Sequence, residues 1–402
     1  MAPAEILCEN EITAAKATTQ RFYRPELDAL RFFAFLAVYV CHSIPGNAVA
    51  AASEARSFWA QWLAAVKDAG NFGVCLFFML SAFLITELLR REQKKFGRVH
   101  VGAFYERRIL RIWPLYFGIV IAYLIAGRYF PAMRIETGRI VAYFLLTGNW
   151  YIVLHPWIQT PLRSLWSISV EEQFYLLWPI IAGYGGMRVL ARVSLVIVPV
   201  SFLTIFIVSA DQTYAFNTVW LNSFTQFQFL AWGALLALVL HGRIPKIDRA
   251  LRSTMALAGI TLWLVSAHVA QIKRPGAIVP QWKFCVGYLF VATGCLLLLV
   301  SLLGVSGRWI PEWIVHLGKI SFGLYVFHEA AFLLVDEAQK HAALTMSHVA
   351  FWTDRHMMMT MALNKIAALG VTIFLAALSY RFWESSFLRL KQRVTWIQSR
   401  GV

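Results

Sequence analysis

Eleven apolar stretches, each close to the length that crosses a lipid bilayer, leave this chain few folds to adopt. A bilayer core of about 30 Å takes roughly 20 mostly apolar helical residues. The stretches lie near residues 27–44, 72–89, 109–126, 139–154, 166–183, 190–209, 224–241, 254–270, 284–304, 317–335 and 362–382. The composition agrees: 59% of the 402 residues are hydrophobic and 14% charged, whereas an average soluble domain is about 25% charged. A disordered chain, a nucleic-acid-binding domain and an ordinary soluble enzyme are excluded. The expected fold class is an all-α polytopic membrane protein, with about ten transmembrane helices in one bundle plus one re-entrant or broken segment.

Charge sets the count of passes. The net charge of +16 is concentrated between the apolar stretches, and Lys and Arg mark loops that stay on the cytoplasmic side. Arg90 to Arg111 holds eight basic residues, Arg243 to Arg252 a second group and Arg381 to Arg400 a third. Two stretches precede the first marker, which places the N-terminus inside. Four separate the second from the third, but five separate the first from the second. An odd number is forbidden, so one of the five fails to cross. The suspects are 139–154, interrupted by Gly148 and Asn149, and 166–183, which opens on Glu171 and Glu172. Ten passes with both termini cytoplasmic follow, and 336–361 becomes an outward polar loop.

The expected organisation is a short cytoplasmic tail at 1–22, a membrane domain at 23–387 and a basic cytoplasmic tail at 388–402, with no appended soluble domain. Glu5, Glu9 and Glu11 precede any basic residue, so a cleaved signal peptide with a positive start is not expected. Five cysteines, four of them inside apolar stretches, read as small buried hydrophobes rather than disulfide partners.

Ionisable groups in lipid are costly enough to mark function. Arg31 and His42 share the first stretch. Eleven residues separate them by about 16 Å along the axis and leave them about 20° apart around it. One face would then carry both groups across the membrane, as a lining does; alternatively Arg31 snorkels and His42 bonds a backbone carbonyl. In Trp166-Ser167-Ile168-Ser169-Val170-Glu171-Glu172, the carboxylates either favour a helix N-terminus capped by Ser169 or orient His42 as an acid partner. Adjacent helical residues diverge, so at most one of Glu171 and Glu172 points at a site. Arg108 and Arg111 lie three apart on one face. Their guanidinium forks suit phosphates, though on charge alone positive-inside anchoring with anionic-lipid contact is the better explanation. His328 and Glu329, inside a span, read as helix–helix hydrogen bonding. No metal-ligand spacing, nucleophile elbow or dinucleotide fingerprint occurs, and His341, His348 and His356 read as solvated, so no metal site is expected.

In order along the chain come Leu30-Arg31 to His42, Gly73 to Ile85 with Ser81, Arg108 and Arg111 with Pro114 and Tyr116, the Trp166–Tyr175 block, Gly318 to His328 with Tyr325, and Glu384. Together they resemble the acyltransferase 3 family of bacterial integral-membrane O-acyltransferases, from about Tyr23 to Phe387. The resemblance implies transfer of an acyl group, chiefly acetyl, from cytoplasmic acyl-CoA to a hydroxyl of an envelope or exported carbohydrate or glycolipid. It implies catalytic residues His42, Arg31, Glu171 and Glu172, and donor binding by Arg108, Arg111 and Tyr116. Asp28, Ser81, Trp166, Tyr325 and His328 would support them. The location would be the bacterial inner membrane, with acyl-CoA as co-substrate, no bound cofactor, membrane lipid as surroundings and no nucleic acid as partner. Two departures are visible: Ala82 stands where the family has Gly, and Ser385-Ser386 follows Glu384 in place of Pro. The rival reading is a secondary transporter or flippase using the same buried charges; a third is a sensor or assembly partner without catalysis. Acceptor choice would lie in loops 45–70 and 336–361.

Overall fold

The computed structural model describes residues 23–44, 58–130, 133–155, 158, 160–211, 215–272, 279–346 and 354–393. Among these residues every regular element is helical. The first helix, α1 (Pro25–Ser43), starts on a proline, carries Glu26 and Asp28 in its first turn and ends with His42 in its last. Proline at the first position needs no N–H partner, and acidic groups suit the positive end of the helix dipole. α2 (Phe58–Gly70) leads into α3 (Phe72–Phe96), which is buried nearly all round. A helix apolar on every face belongs in the middle of a bundle, and α3 packs against α1, α10 and α12.

α4 (Val101–Tyr129) follows, and then the stretch expected at 139–154 divides. It forms α5 (Thr137–Phe144) and α6 (Gly148–Leu154), separated where Leu146 takes φ 57°. At 1.5 Å per residue neither piece exceeds about 12 Å, so neither crosses a bilayer alone. The other suspect, 166–183, is helical throughout: α7 (Trp166–Ile180) continues through a π turn at Ile181–Gly185 into α8 (Gly186–Val208). Arg163–Val208 is 46 residues of unbroken assignment, about twice a bilayer core. Gly186, at φ 73° and ψ −179°, interrupts the α-helical run between two crossing lengths.

α9 (Ala215–Leu221), α10 (Ser223–Leu240), α11 (Arg249–Val265, extended by a π turn to Ala270) and α12 (Gln281–Leu302) complete the middle of the chain. α13 (Glu312–Lys319) and α14 (Ser321–Met346) meet at a 74° bend. α15 (Asp354–Ser379) passes through a π turn into α16 (Ser385–Arg393). Among the described residues, seven helices are individually long and apolar enough to span, or eight with the bent pair. α1 falls outside that count because Glu26, Asp28 and Arg31 occupy its first two turns. With α1 added and Gly186 dividing the longest helix, ten passes are compatible with the structure.

Leu195, Val196, Leu203 and Ile207 on α8 are exposed, as are Ile366, Phe374 and Leu378 on α15. Such faces suit lipid rather than water. The chain is a multi-pass membrane protein. Three expectations change in detail. Most of the outward loop placed at 336–361 is helix, because α14 runs to Met346 and α15 starts at Asp354; His348, and residues 45–57 of the other loop, lie outside the described residues. Ser169 does not cap α7, which begins at Trp166; it is buried, its hydroxyl turned to the Leu165 carbonyl. Ala82 is fully buried. The close approach to α3 comes from the facing helix instead, where a Cβ on Gly233 would overlap the Met79 carbonyl.

Candidate active site

α1 is held between rigid neighbours. Gly318 of α13 lies directly on the Asp28 carbonyl, where a Cβ has no room. Further along, the Tyr39 hydroxyl donates to the Lys365 carbonyl at 2.5 Å, tying α1 to α15. The helix thereby presents two chemically distinct neighbourhoods.

Around Arg31 lies a cavity of about 700 Å³, mouth included, bordered by α1, α3, α4, α7 and α14. Its charged lining is Arg31, Arg108, Arg111 and Glu171; Ser81, Ser167, Tyr175, Ser321 and Tyr325 add hydroxyls, and Phe77, Phe78, Ile112 and Phe322 add apolar wall. Arg31 is anchored by Asp28 one turn earlier, Nη1 to Oδ1 at 3.2 Å. The Arg108 guanidinium stacks over Tyr175 at 4.8 Å and Phe104 at 5.6 Å. Glu171 reaches the hydroxyls of Ser81 and Tyr175 and lies in the fields of Arg108 and Arg31; those two hydroxyls also bond each other. Three guanidinium groups against one carboxylate give the space a net positive lining. Forked donors of this kind match phosphate oxygens.

His42 is not part of that lining. Tyr325 and Ser167, whose hydroxyls are 2.7 Å apart, belong to the cavity lining, and the Tyr325 ring lies 5.5 Å from the ring of His328, the neighbour of His42. There His42 Nδ1 lies 2.9 Å from His328 Nε2 and 3.1 Å from Glu329 Oε1. Arg163 Nε donates to the same carboxylate oxygen at 2.8 Å, and His328 Nδ1 is 2.5 Å from the Tyr325 carbonyl. His328 is fully buried and Glu329 nearly so, while the His42 side chain keeps 24% of its surface accessible. The ligand-type atoms of His42, His328 and Glu329 lie within 4.8 Å of one another, close enough to hold a metal ion; Arg163 supplies positive charge at the same carboxylate.

The structure thus brings together Arg31, Ser81, Arg108, Arg111, Glu171 and Tyr325 around one cavity, and His42 with His328 beside it. The divergence expected for the adjacent carboxylates is seen: Glu171 faces the cavity, while Glu172 accepts from Trp113 Nε1 at 2.9 Å. Tyr116 is fully buried, and its hydroxyl donates to the Tyr143 carbonyl at 2.9 Å, away from the cavity. Trp166 is a core residue packed edge-on against Phe78 and Trp220. Asp28 acts through Arg31. Sequence reasoning missed Arg163, which a loop position disguises as topological anchoring. The helix–helix hydrogen bonding expected of His328 and Glu329 is seen: both reach His42 of α1, and Glu329 also accepts from Arg163.

Residues 24–382 match a family whose model is described as an acyltransferase domain. The chain is 27% identical over 331 residues to the O-acetyltransferase OatA of Staphylococcus aureus strain NCTC 8325, covering 78% of this chain and 51% of OatA. OatA of S. aureus strain COL matches to the same extent. SAS0844 of S. aureus strain MSSA476, provisionally named an O-acetyltransferase, is 25% identical over 392 residues, covering 91% of this chain and 57% of SAS0844. This chain therefore spans just over half the length of these relatives. No solved structure matches it.

Proposed function

The chain belongs to the acyltransferase-domain family, and from that premise we propose that it moves an acetyl group from cytoplasmic acyl-CoA to a hydroxyl of an envelope or exported carbohydrate or glycolipid. The observation that carries this reading is the positively lined cavity, where Arg31, Arg108 and Arg111 outnumber Glu171. Arg108 and Arg111 grip the donor phosphates from α4, and Arg31, steadied by Asp28, adds a third cation. Glu171 holds the Ser81 and Tyr175 hydroxyls in place at the cavity wall.

Chemistry takes place on the His42 side. The acceptor oxygen attacks the thioester carbonyl while His42 takes the hydroxyl proton. The C–S bond then breaks, and the departing thiolate recovers that proton as free CoA. Acyl transfer through His42 itself is the two-step variant of the same exchange. Both routes require the acetyl end of the donor to pass the Tyr325–Ser167 pair.

The chain lies in the bacterial inner membrane on this reading, with Arg90 to Arg111 and both termini cytoplasmic. Family membership supports acyl transfer over transport or flipping by the same buried charges. The purified chain, given radiolabelled acetyl-CoA and envelope glycan, is expected to yield covalently labelled glycan. Glycan that crosses a membrane without gaining label would overturn the assignment.

A further inference from the structure

His42 and His328 meet edge to edge. Their ring planes are 6° apart and their centroids 5.2 Å apart, while the facing nitrogens are 2.9 Å apart. The centroid separation exceeds the nitrogen separation by about two ring radii, so one hydrogen bond lies nearly in the plane of both rings. The proton on that bond can be assigned from the other end of His328. Its Nδ1 lies 2.5 Å from the Tyr325 carbonyl oxygen, an atom that can only accept. His328 Nδ1 therefore carries the N–H.

A neutral imidazole has one N–H and one lone pair. Glu329 Oε1 lies 3.5 Å from His328 Nε2, but the same oxygen is held more closely by Arg163 at 2.8 Å and His42 at 3.1 Å, so a second buried charge on His328 would share an anion already paired. His328 Nε2 is then an acceptor, as is Glu329 Oε1 at 3.1 Å from the same His42 nitrogen. Two acceptors converge on His42 Nδ1, so that atom is the donor.

We propose that the Tyr325 carbonyl, His328 and Glu329 are positioning groups that lock His42 as its Nδ1–H tautomer and leave Nε2 as the basic atom. Arg163 holds the Glu329 carboxylate in register. This deepens the function proposed above and rests on it for the meaning of the tautomer, but the tautomer itself exists whether or not His42 is the base. In the reaction, Nε2 takes the acceptor proton as the C–O bond forms and returns it to the thiolate. The imidazolium that exists in between is stabilised through Nδ1–H by Glu329.

The test reads the tautomer directly. With histidine labelled by nitrogen-15 in the full detergent-solubilised chain, the signals lost in His42→Gln are those of His42. They are expected to show a protonated Nδ1 and a bare Nε2 at a pH where the ring is neutral; a proton on Nε2 overturns the proposal even if the protein proves to be an acetyltransferase. In the acetylation assay, Glu329→Gln is expected to lower kcat at least tenfold with KM for acetyl-CoA within twofold. His328→Gln, which can return an amide oxygen to the Nε2 position, is expected to retain at least fivefold more kcat than His328→Leu. Equal activity of those two variants, or loss of wild-type activity on treatment with EDTA, overturns the relay, the latter in favour of a bound metal.

Discussion

The two neighbourhoods of α1 are built on opposite principles. Around Arg31, cations outnumber the carboxylate, and the groups surround open space. Around His42, one carboxylate oxygen serves Arg163 and His42, and each of these side chains is engaged by another. The first arrangement carries a net positive lining even with Arg31 paired to Asp28. The second is complete within the protein and suits the holding of a proton at a defined atom. A helix joins them, with Arg31 and His42 about 16 Å apart along its axis, on one face but in separate surroundings.

That contrast is most directly broken at His42. His42→Ala is expected to lower acetyl transfer about a thousandfold while acetyl-CoA affinity, measured by calorimetry, stays within about threefold. Affinity falling together with rate would merge the two neighbourhoods into one. The double variant Arg108→Ala/Arg111→Ala is expected to do the reverse. Acetyl-CoA affinity should weaken by tenfold or more, since each charged hydrogen bond contributes about 1.5–3 kcal/mol, with the His42 nitrogen-15 signals unmoved. Unchanged affinity would return both residues to topological anchoring.

Gly318→Ala sharpens the comparison more gently. The added methyl overlaps the Asp28 carbonyl and pushes α13 away from α1. A stability loss of about 1–3 kcal/mol is expected, read as a lower thermal midpoint, with KM for acetyl-CoA raised a few-fold and kcat little changed. The smallest effect belongs to Tyr116→Phe. Its hydroxyl serves the Tyr143 carbonyl, so about 1 kcal/mol of stability is at stake and KM should not move; a raised KM would restore it to the donor site.

Much of this was legible in the sequence because lipid imposes a strict length. Most of the apolar stretches return as helices within a few residues, and parity alone required one of two segments to fail. Deciding between them needed backbone detail: Leu146 in the left-handed region breaks α5 from α6, a conformation that a leucine code does not advertise. The shared face of Arg31 and His42 follows from helical geometry. Their separate surroundings do not, because the residues around each, such as Ser167 and Tyr325 at the cavity, come from helices distant in sequence. Arg163 and Glu329 lie 166 residues apart, and no local spacing reports a contact of that kind. Glu171 and Glu172 show the opposite case, where the angle between helical neighbours was enough to send only one into the cavity.

The straight run of α14 after its bend has a mechanical consequence. Ser321 and Tyr325 on this helix line the cavity, and His328 and Glu329, within the next turn, hold His42. Both neighbourhoods of α1 draw on this one helix. A displacement of this helix at Tyr325 would carry His328 away from His42, so the cavity lining and the hydrogen bond to His42 are coupled through a single element. Rotation of the Tyr325 and Ser167 side chains would reshape the lining while leaving the helix, and its contact with His42, in place.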